Sequence, residues 1–454
     1  MTSPVEYWHT LLRPEAELTE GYWQALEAEM RARRLTFGGR LNCPFLRPIF
    51  VSPADLARVA SVAESIAVVG ERVVAAAVHD PALLDALGLT EEERALVAIE
   101  PGYARASTSS RLDSFLLPDS LAFAEYNAEA PAGFGYTETL SELFDGLPLM
   151  ARFRDRFEAT YFPLMASILE ALLASYREWG GRADPPTVLI TDWREVPTWS
   201  EFQIIRERFE QLGVPTVVVD PRELSFDGRH LVAESRRIDL VYRRVLINDI
   251  LARQAECQPL LDAYAAGAVC MANTLRCKIP HKKAFFAVLT DPRHAALFDD
   301  AERALFARHI PWTRLLAEGR TTAPDGREVD LIAELRARRD QLVIKPNDEY
   351  GGAGVLLGWE ATPAAWDEAI ARALADRPGT WVAQQRITVR REVFPMVTTD
   401  PFGVEFRDML VDFAPYIFRG KVAGFLTRLS TSGLANVTSG GGQVPTFVVK
   451  ATTP

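Results

Sequence analysis

Cysteine is scarce in this chain of 454 residues, and no two of its four cysteines form a Cys-x-x-Cys pair. The six histidines show no paired ligand spacing, so the sequence argues against a structural zinc site. So few cysteines in so long a chain are typical of reduced cytosolic thiols and not of a disulfide framework. A covalent nucleophile is not indicated, because Gly-x-Ser-x-Gly is absent and no cysteine has an obvious general base.

The chain also lacks an excess of positive charge: 50 Lys and Arg face 61 Asp and Glu, which gives a net charge of −11. Its densest basic stretch, residues 236–244, is broken by aliphatic residues, which argues against a general binder of the nucleic-acid backbone. No apolar run reaches the ~20 residues of a membrane span, and residues 1–13 lack the apolar segment of a signal peptide. The sequence therefore predicts a soluble, cytoplasmic protein that acts on neither nucleic acid nor membranes.

The first hundred residues are predominantly helical in pattern and contain no catalytic motif. Leu121–Asn127, by contrast, is an extended run that ends in polar residues and predicts a strand. Apolar residues recur at helical spacing in four stretches of the chain: 15–34, 52–78, 81–100 and 147–179.

Between residues 185 and 248 apolar strands alternate with an amphipathic helix, which is the pattern of a parallel α/β layer. The layer lacks Gly-x-Gly-x-x-Gly, so we interpret it as a substrate-binding layer and not as a dinucleotide site. Asp192, Arg194 and Glu195 follow its first strand, where α/β sheets bind ligands, and are candidates for holding a polar substrate. The predicted elements are strands Thr187–Thr191, Pro215–Val219 and Asp239–Tyr242 and helix Ser200–Leu212.

The last third of the chain predicts two strand pairs. One is a hairpin whose strands are joined by a polar, glycine-bearing loop, Pro346–Gly354, unlike the strand–loop–helix of a P-loop. The other is an antiparallel pair that turns at residues 419–421. The strands expected here are Leu342–Lys345, Val355–Gly358, Thr380–Ile387, Asp408–Arg419 and Val422–Leu429.

The hairpin has the composition of a phosphate site. Lys345 closes an apolar strand, so its stem is expected to be buried and its ammonium group to emerge at the mouth of a site. Gly351, Gly352 and Gly354 let backbone N–H groups approach phosphate oxygens closely. Glu349 supplies a carboxylate beside the loop, as Mg²⁺ prefers. The alternative is an ordinary hairpin with a polar turn.

Two polar pairs precede the hairpin by more than two hundred residues. Glu125 and Asn127 are two apart on a predicted strand, so they face the same way and can reach one cation. Arg111 and Asp113 share this alternation if their stretch is also extended. The alternative is a solvent-facing strand that happens to carry polar residues.

Basic residues suggest two further contacts. Lys282 and Lys283 open a helix, where the helix dipole disfavours a cation unless an anion is near. Arg428 ends a hairpin strand and could clamp a phosphoryl or carboxylate group with two hydrogen bonds. A solvated basic pair and a surface arginine are the respective alternatives.

Together these motifs resemble the circularly permuted ATP-grasp ligases, the group that includes eukaryotic-type glutathione synthetase and glutathionylspermidine synthase. The resemblance covers residues 103–448, and its specificity lies in the combination and order of the motifs. The matching motifs are Arg111-Leu-Asp113, Glu125-Tyr-Asn127, Lys282, Lys345-Pro-Asn-Asp-Glu349-Tyr-Gly351-Gly352, and Arg428 ahead of Gly440-Gly-Gly442.

The resemblance implies an α/β (α+β) fold, a circularly permuted ATP-grasp with an inserted parallel α/β substrate-binding layer and a helical N-terminal region. It also implies a division of the chain into four parts. These are a helical region (1–100), a metal-binding part of the core (101–184), the substrate-binding layer (185–275), and the nucleotide-binding core with its lid (276–454).

The same resemblance implies ATP and Mg²⁺ as cofactors and assigns roles to individual residues. Mg²⁺ ligands are Asp113, Glu125, Asn127 and Glu349. ATP contacts are Lys282 or Lys283, Lys345, Gly351, Gly352, Gly354, Gln384 and Gln385. Arg111 steadies the transferring phosphoryl group, and Arg428 serves on the substrate side. Glycine-bearing segments 351–354 and 439–442 would act as lids.

The implied activity is an ATP-dependent ligase that joins a small-molecule carboxylate to an amine through an acyl phosphate. Glutathione synthesis itself is not indicated, because the expected substrate segments, 128–136 and 191–200, differ from that group's. An ATP-dependent phosphotransferase and a catalytically inactive ATP-grasp binding protein are the alternatives. The substrates are left open, as is assembly into a homo-oligomer.

Overall fold

The N-terminal region is helical, as predicted, with three short strands. The computed structural model describes residues 2–12, 20–431 and 441–452. The pattern at 81–100 forms two helices and not one, because Gly88 ends the first with φ +74° and Thr90 and Glu93 form a capping box that starts the second. The elements are α1 (Pro4–Leu12), α2 (Glu20–Ala32), β1 (Thr36–Phe37), β2 (Arg40–Leu41), β3 (Ile49–Val51), α3 (Pro53–Ala77), α4 (Pro81–Leu87) and α5 (Glu91–Val97).

Three strands and three helices follow. The strand predicted at 121–127 is confirmed, and residues 111–113 are extended beside it. The helical pattern of 147–179 is interrupted by a short strand whose alternate residues Phe157 and Ala159 are buried. The elements are β4 (Ser109–Leu116), β5 (Leu121–Asn127), α6 (Phe134–Asp145), α7 (Pro148–Phe153), β6 (Phe157–Thr160) and α8 (Leu164–Glu178).

The predicted α/β layer is present and parallel. Its four strands run in the order β13-β12-β7-β8, and all three pairings are parallel. The elements are β7 (Val188–Thr191), α9 (Trp199–Gln211), β8 (Thr216–Val219), β9 (Ser225–Phe226), β10 (Leu231–Ala233), β11 (Arg236–Ile238), β12 (Leu240–Arg243), α10 (Ile247–Ala252), α11 (Gln254–Ala265) and β13 (Cys270–Ala272).

The predicted glycine-bearing hairpin belongs to an antiparallel sheet of order β14-β19-β17-β18. The elements of this part are α12 (Lys278–His281), α13 (Ala284–Thr290), α14 (Asp300–His309), β14 (Thr313–Leu315), β15 (Arg320–Thr322), β16 (Glu328–Asp330), α15 (Leu331–Ala337), β17 (Leu342–Pro346), β18 (Leu356–Leu357), α16 (Pro363–Ala375) and β19 (Trp381–Gln385).

The C-terminal part is almost entirely extended. The antiparallel pair predicted at 408–429 is confirmed, but its first strand begins earlier, at Phe402, and pairs with a strand that the sequence analysis did not predict. The elements are β20 (Arg390–Thr399), β21 (Phe402–Phe418), β22 (Lys421–Ser430), β23 (Gly442–Val444) and β24 (Thr446–Ala451).

The central sheet, whose described strand pairings are all antiparallel, joins the early and late parts of the chain. Its strands run β23-β22-β21-β4-β5, with β20 added to β21, and Tyr416 lies opposite Arg111. The largest apolar cluster of the described residues packs the N-terminal helices against this sheet. Separate clusters cover the α/β layer and the β17 sheet. In the described part of the chain, no helix is long and apolar enough to cross a bilayer.

Candidate active site

A cavity of about 710 Å³ lies where the central sheet faces the β17–β18 hairpin. Strands β4 and β5 from the early chain and β21 and β22 from the late chain contribute to its floor. The hairpin, strand β19, Lys283 and the segment that follows β19 also contribute to its lining. The charged residues that line it include Asp113, Glu125, Lys283, Lys345, Glu349, Asp412 and Arg428.

Acidic side chains lie at neighbouring positions on adjacent strands of the central sheet. Glu125 lies opposite Asp113, and Asp412 on the next strand lies opposite Arg428. Arg428 Nη2 donates to Asp113 Oδ2 at 2.5 Å, and its Nε donates to Asp412 Oδ2 at 2.6 Å. Arg111 Nε donates to the other oxygen of Asp113 at 2.8 Å. Burial opposes ionisation of Asp113, but the two guanidinium groups hold its pKa well below the ordinary value.

Asp412 is a cavity residue that the sequence analysis did not identify. Its side chain is fully buried, and its Oδ1 has no hydrogen-bond partner among the described residues. Burial raises the pKa of Asp412 to about 7, although Arg428 favours the charged form. The available signal was a lone carboxylate within the apolar run Met409–Ala414.

Lys345 extends from β17 into the cavity with most of its length buried. Its ammonium group donates to Gln384 Oε1 at 2.8 Å and to the Ala124 carbonyl at 3.1 Å. Burial lowers the pKa of Lys345 to about 8, although Glu125 raises it. Gln384 and Gln385 both line the cavity, and Gln384 Nε2 donates to Thr313 Oγ1 at 3.0 Å.

The two neighbouring lysines that the sequence left open have different surroundings. Lys283 lines the cavity, and its Nζ is 3.6 Å from Glu125 Oε2. Lys282 is turned away from the cavity lining, and its Nζ donates to Glu93 Oε1 at 2.7 Å and Asp348 Oδ2 at 2.5 Å. The two lysines lie between the end of α12 and the start of α13, and their side chains point in different directions. The geometry therefore favours Lys283 over Lys282 as an ATP contact.

The glycine loop of the hairpin borders the cavity. Glu349, Gly351 and Gly352 line it, and Gly354 lies just outside the lining. Gly354 has φ +71°, and a Cβ there would lie 2.8 Å from Pro346 Cγ, so the turn requires glycine. The second predicted lid, residues 439–442, begins outside the described residues. Its last residue, Gly442, starts β23 opposite Leu429.

Two of the expected site residues stand behind the cavity and not in its lining. Asn127 donates from Nδ2 to Glu125 Oε1 at 3.1 Å, and Arg111 donates from Nη1 to the Ala132 carbonyl at 3.1 Å. Since Arg111 Nε also donates to Asp113 Oδ1, Asn127 and Arg111 each contact a carboxylate that lines the cavity, Glu125 and Asp113 respectively.

The cavity contains carboxylates that could bind Mg²⁺. Among the described residues, no group of three or more His, Cys, Asp or Glu side chains is arranged to hold a metal. Mg²⁺ does not require such a cage, since it binds one or two carboxylates together with substrate phosphates. Glu125 fits this need: burial disfavours its charged form, but Lys283 and Lys345 lower its pKa. With Glu349 on the facing hairpin, the cavity offers suitable oxygen ligands.

A second group of buried polar residues lies in the α/β layer. Strand order reverses between β7 and β12, and ligands of α/β proteins bind at such a switch point, beyond the carboxyl ends of the strands. Asp192 follows β7 and is 7% exposed, and burial raises its pKa to about 6. Arg244 follows β12 and donates to the Pro131 carbonyl at 2.9 Å, while its buried Nε has no partner in the described part of the chain.

The other two polar residues predicted near this point are less enclosed. Arg194 pairs with Glu223, and Glu195 lies near Arg222 at the surface of the layer. Asp192 is therefore the most enclosed of the three candidates after the first strand.

The model of the family described as circularly permuted ATP-grasp type 2 matches residues 118–437, well over half of the chain. The chain belongs to this circularly permuted ATP-grasp family. The predicted resemblance and the predicted fold class are thereby confirmed. The domain boundaries and the site roles that the resemblance implied stay predictions.

Relatives of this ATP-grasp chain carry ligase names. It is 25% identical over 301 residues, 62% of the chain, to a putative glutamate–cysteine ligase of Frankia casuarinae. That match spans only 32% of the Frankia protein, so the chain covers about a third of this relative's length. An uncharacterized protein of Synechocystis sp. is 24% identical over 357 residues, 72% of this chain and 66% of that protein.

A solved structure supports the fold over nearly the whole chain. The glutathione synthetase-like effector of Globodera pallida, in its apo form, superposes with a TM-score of 0.59. The superposition covers 96% of this chain and 99% of the effector at 11% sequence identity. At that identity the likeness concerns the fold alone.

Proposed function

We propose that the protein is an ATP-dependent carboxylate–amine ligase that forms an amide through an acyl phosphate and releases ADP and phosphate. The observation that carries the proposal is that one cavity is lined both by acidic residues of the early strands and by the late hairpin. Glu125 of β5 and Glu349 of the hairpin are more than two hundred residues apart in sequence, yet both line it.

On the nucleotide side, Lys283 and Lys345 would neutralise phosphate oxygens, and the backbone at Gly351 and Gly352 would cover them. The positions of these lysines support this, because Lys283 Nζ is 3.6 Å from Glu125 Oε2 and both lysines line the same cavity and lower the pKa of Glu125. Gln385 would border the base, at the end of β19.

Glu125 and Glu349 would hold Mg²⁺, with Asn127 orienting Glu125 through their hydrogen bond. Asp113 stays a candidate ligand, but both of its oxygens accept hydrogen bonds from arginines here. When bound, Mg²⁺ supplies positive charge that stabilises the phosphoryl group during transfer.

The chemical logic of the proposed reaction starts from the carboxylate, which is a poor electrophile. A carboxylate oxygen attacks the γ-phosphorus of ATP and ADP leaves, which gives an acyl phosphate. The amine then attacks the acyl carbon, phosphate leaves, and the amine loses a proton. Arg428 would bind the acyl-phosphate side of the cavity, and Arg111 would support it through Asp113. The absence of a predicted nucleophile is consistent with a route that needs no covalent enzyme intermediate.

The carboxylate or the amine would approach from the α/β layer. Asp192 and Arg244 offer one group of each charge at the switch point, a combination suited to an amino acid or a similar zwitterion. The ligase names of the Frankia relatives agree with a substrate of this class.

The proposal is tested by replacing Glu349 with glutamine and Lys345 with methionine. We expect each variant to lose at least ~100-fold in ATP turnover, since each removes a charge that the phosphates require. Turnover would be measured as ADP release with pooled amino acids, polyamines and peptides, and the product would be identified by mass spectrometry.

The matched control for Glu349→Gln is Glu368→Gln, an exposed glutamate on α16 outside the cavity lining. Normal turnover by Glu349→Gln would refute the assigned metal site. ADP release with a phosphorylated acceptor and no amide would identify a phosphotransferase instead.

A further inference from the structure

A buried cluster of charged side chains lies behind the glycine hairpin and outside the cavity lining. It contains three carboxylates and three cations, so its formal charges balance. All but the aspartate are at most 3% exposed in their side chains. The members of this buried ion cluster are Glu93, Glu129, Arg243, Lys278, Lys282 and Asp348.

Asp348 is the member of the cluster that belongs to the hairpin. Lys278 Nζ donates to its Oδ1 at 2.8 Å, and Lys282 Nζ donates to its Oδ2 at 2.5 Å. The same Lys282 ammonium donates to Glu93 Oε1 of α5 at 2.7 Å. A continuous chain of ion pairs therefore joins the N-terminal region to the hairpin, from Glu93 through Lys282 to Asp348.

The preceding residue makes a second connection between the same two regions. Asn347 donates from Nδ2 to the Leu87 carbonyl at 2.9 Å, at the end of α4, and to the Gly379 carbonyl at 2.8 Å. Its Oδ1 accepts from the Ala284 N–H at 2.8 Å. Both polar residues that follow the Lys345-Pro346 step are thus fixed to elements behind the hairpin.

Cluster residues alternate in sequence with cavity residues. Lys282 precedes Lys283, and Asp348 precedes Glu349, and in each pair only the second residue lines the cavity. A shift of Asp348 would therefore move Glu349 through a single peptide bond. Buried charges are costly unless they are paired, so the cluster strongly restricts where Asp348 can be.

We propose that the chain of ion pairs Glu93–Lys282–Asp348 holds the hairpin in the position in which Glu349 and the glycine loop engage ATP. Lys282 and Asp348 are then positioning residues, and helices α4 and α5 help to hold the hairpin at the nucleotide site. The inference rests on the proposed function and assigns a role to a region in which the sequence analysis found no motif.

The first test uses Asp348→Asn and Glu93→Gln, with Asp340→Asn as the control on an exposed residue near the same strand. Glutamine at position 93 can keep the capping hydrogen bond from the Thr90 N–H. We expect MgATP to bind about tenfold more weakly to the two cluster variants, as for other residues that orient a site from behind. Hydrogen exchange of residues 349–354 should be faster in both and unchanged in the control.

A double variant separates positioning from stability. Each single substitution leaves a buried charge unbalanced and lowers the unfolding temperature, whereas Glu93→Gln combined with Lys282→Met removes one charge of each sign. We expect the double variant to recover unfolding temperature but to keep the weak MgATP binding and the fast exchange. If binding recovers together with the unfolding temperature, the cluster is merely structural and the proposal is wrong.

The outcomes also separate this inference from the proposed function. Wild-type protein that binds MgATP, with binding lost in Lys345→Met, supports the nucleotide site. If the cluster variants then bind as the wild type does, the positioning role alone is refuted. If the wild-type protein binds no MgATP, the proposed function is refuted and the inference that rests on it is refuted too.

Discussion

At the scale of a single residue, Asp412 is unusual because its carboxylate is buried in the middle of an apolar strand. One oxygen accepts from Arg428, and the other has no partner among the described residues, inside a cavity that binds charged groups in the proposed reaction. Such a group is retained at a cost in stability, because its charged form is poorly solvated.

The cost predicts a pH dependence of stability. The pKa of Asp412 is raised from 3.8 to about 7, so its favourable contribution is complete below about pH 4 and is lost as pH rises towards 7. Relative to Asp412→Asn, the wild-type free energy of unfolding should therefore fall by about 3 kcal/mol between pH 5 and pH 8. Urea unfolding of both proteins at the two pH values measures this difference. Parallel pH curves would show that Asp412 titrates near its ordinary pKa.

At the scale of elements, the contact between α4 and the hairpin is unusually close. A Cβ on Gly88, at the end of α4, would lie 2.4 Å from the Gly379 carbonyl oxygen and 2.7 Å from Asn347 Nδ2. The helix can approach the base of the hairpin only because this residue is glycine. The two connections described above depend on that approach.

Gly88→Ala should therefore destabilise the protein by more than the backbone conformation alone explains. The matched control is Gly213→Ala, which also has a positive φ, +84° against +74°, but has nothing within 4 Å of its added Cβ. We expect about 1 kcal/mol for the control and at least ~2 kcal/mol for Gly88→Ala. Equal losses in thermal or urea unfolding would mean that the contact relaxes freely.

At the scale of the whole molecule, local sequence pattern predicted elements far better than it predicted their partners. Strand Leu121–Asn127 and the parallel α/β layer follow from alternation and apolar runs. The meeting of Tyr416 with Arg111 does not, because nothing local records a pairing between residues about three hundred positions apart. The prediction that the early and late parts of the chain meet at one site came only from the resemblance to a circularly permuted family.

In the candidate site, too, the local features were predictable from the sequence and the contacts between distant segments were not. The glycine hairpin was recognisable from composition, whereas the choice between Lys282 and Lys283 depended on how two short helices meet. Asp412 and the buried ion cluster were missed because their partners come from distant segments, and sequence spacing carries no information about those contacts.

The proposed function assigns its two tasks to different parts of the molecule. ATP chemistry is proposed for the cavity at the central sheet, and substrate recognition for the switch point of the α/β layer, where Asp192 lies outside the cavity lining. Asp192→Asn should leave MgATP affinity unchanged but lower substrate-dependent ADP release on the order of tenfold, since it removes a buried charge that would bind an ammonium group. The control is Asp262→Asn, an exposed residue of the same layer. A parallel loss of MgATP affinity would show that Asp192 acts on the nucleotide site or on overall stability, and that the two tasks are not separate.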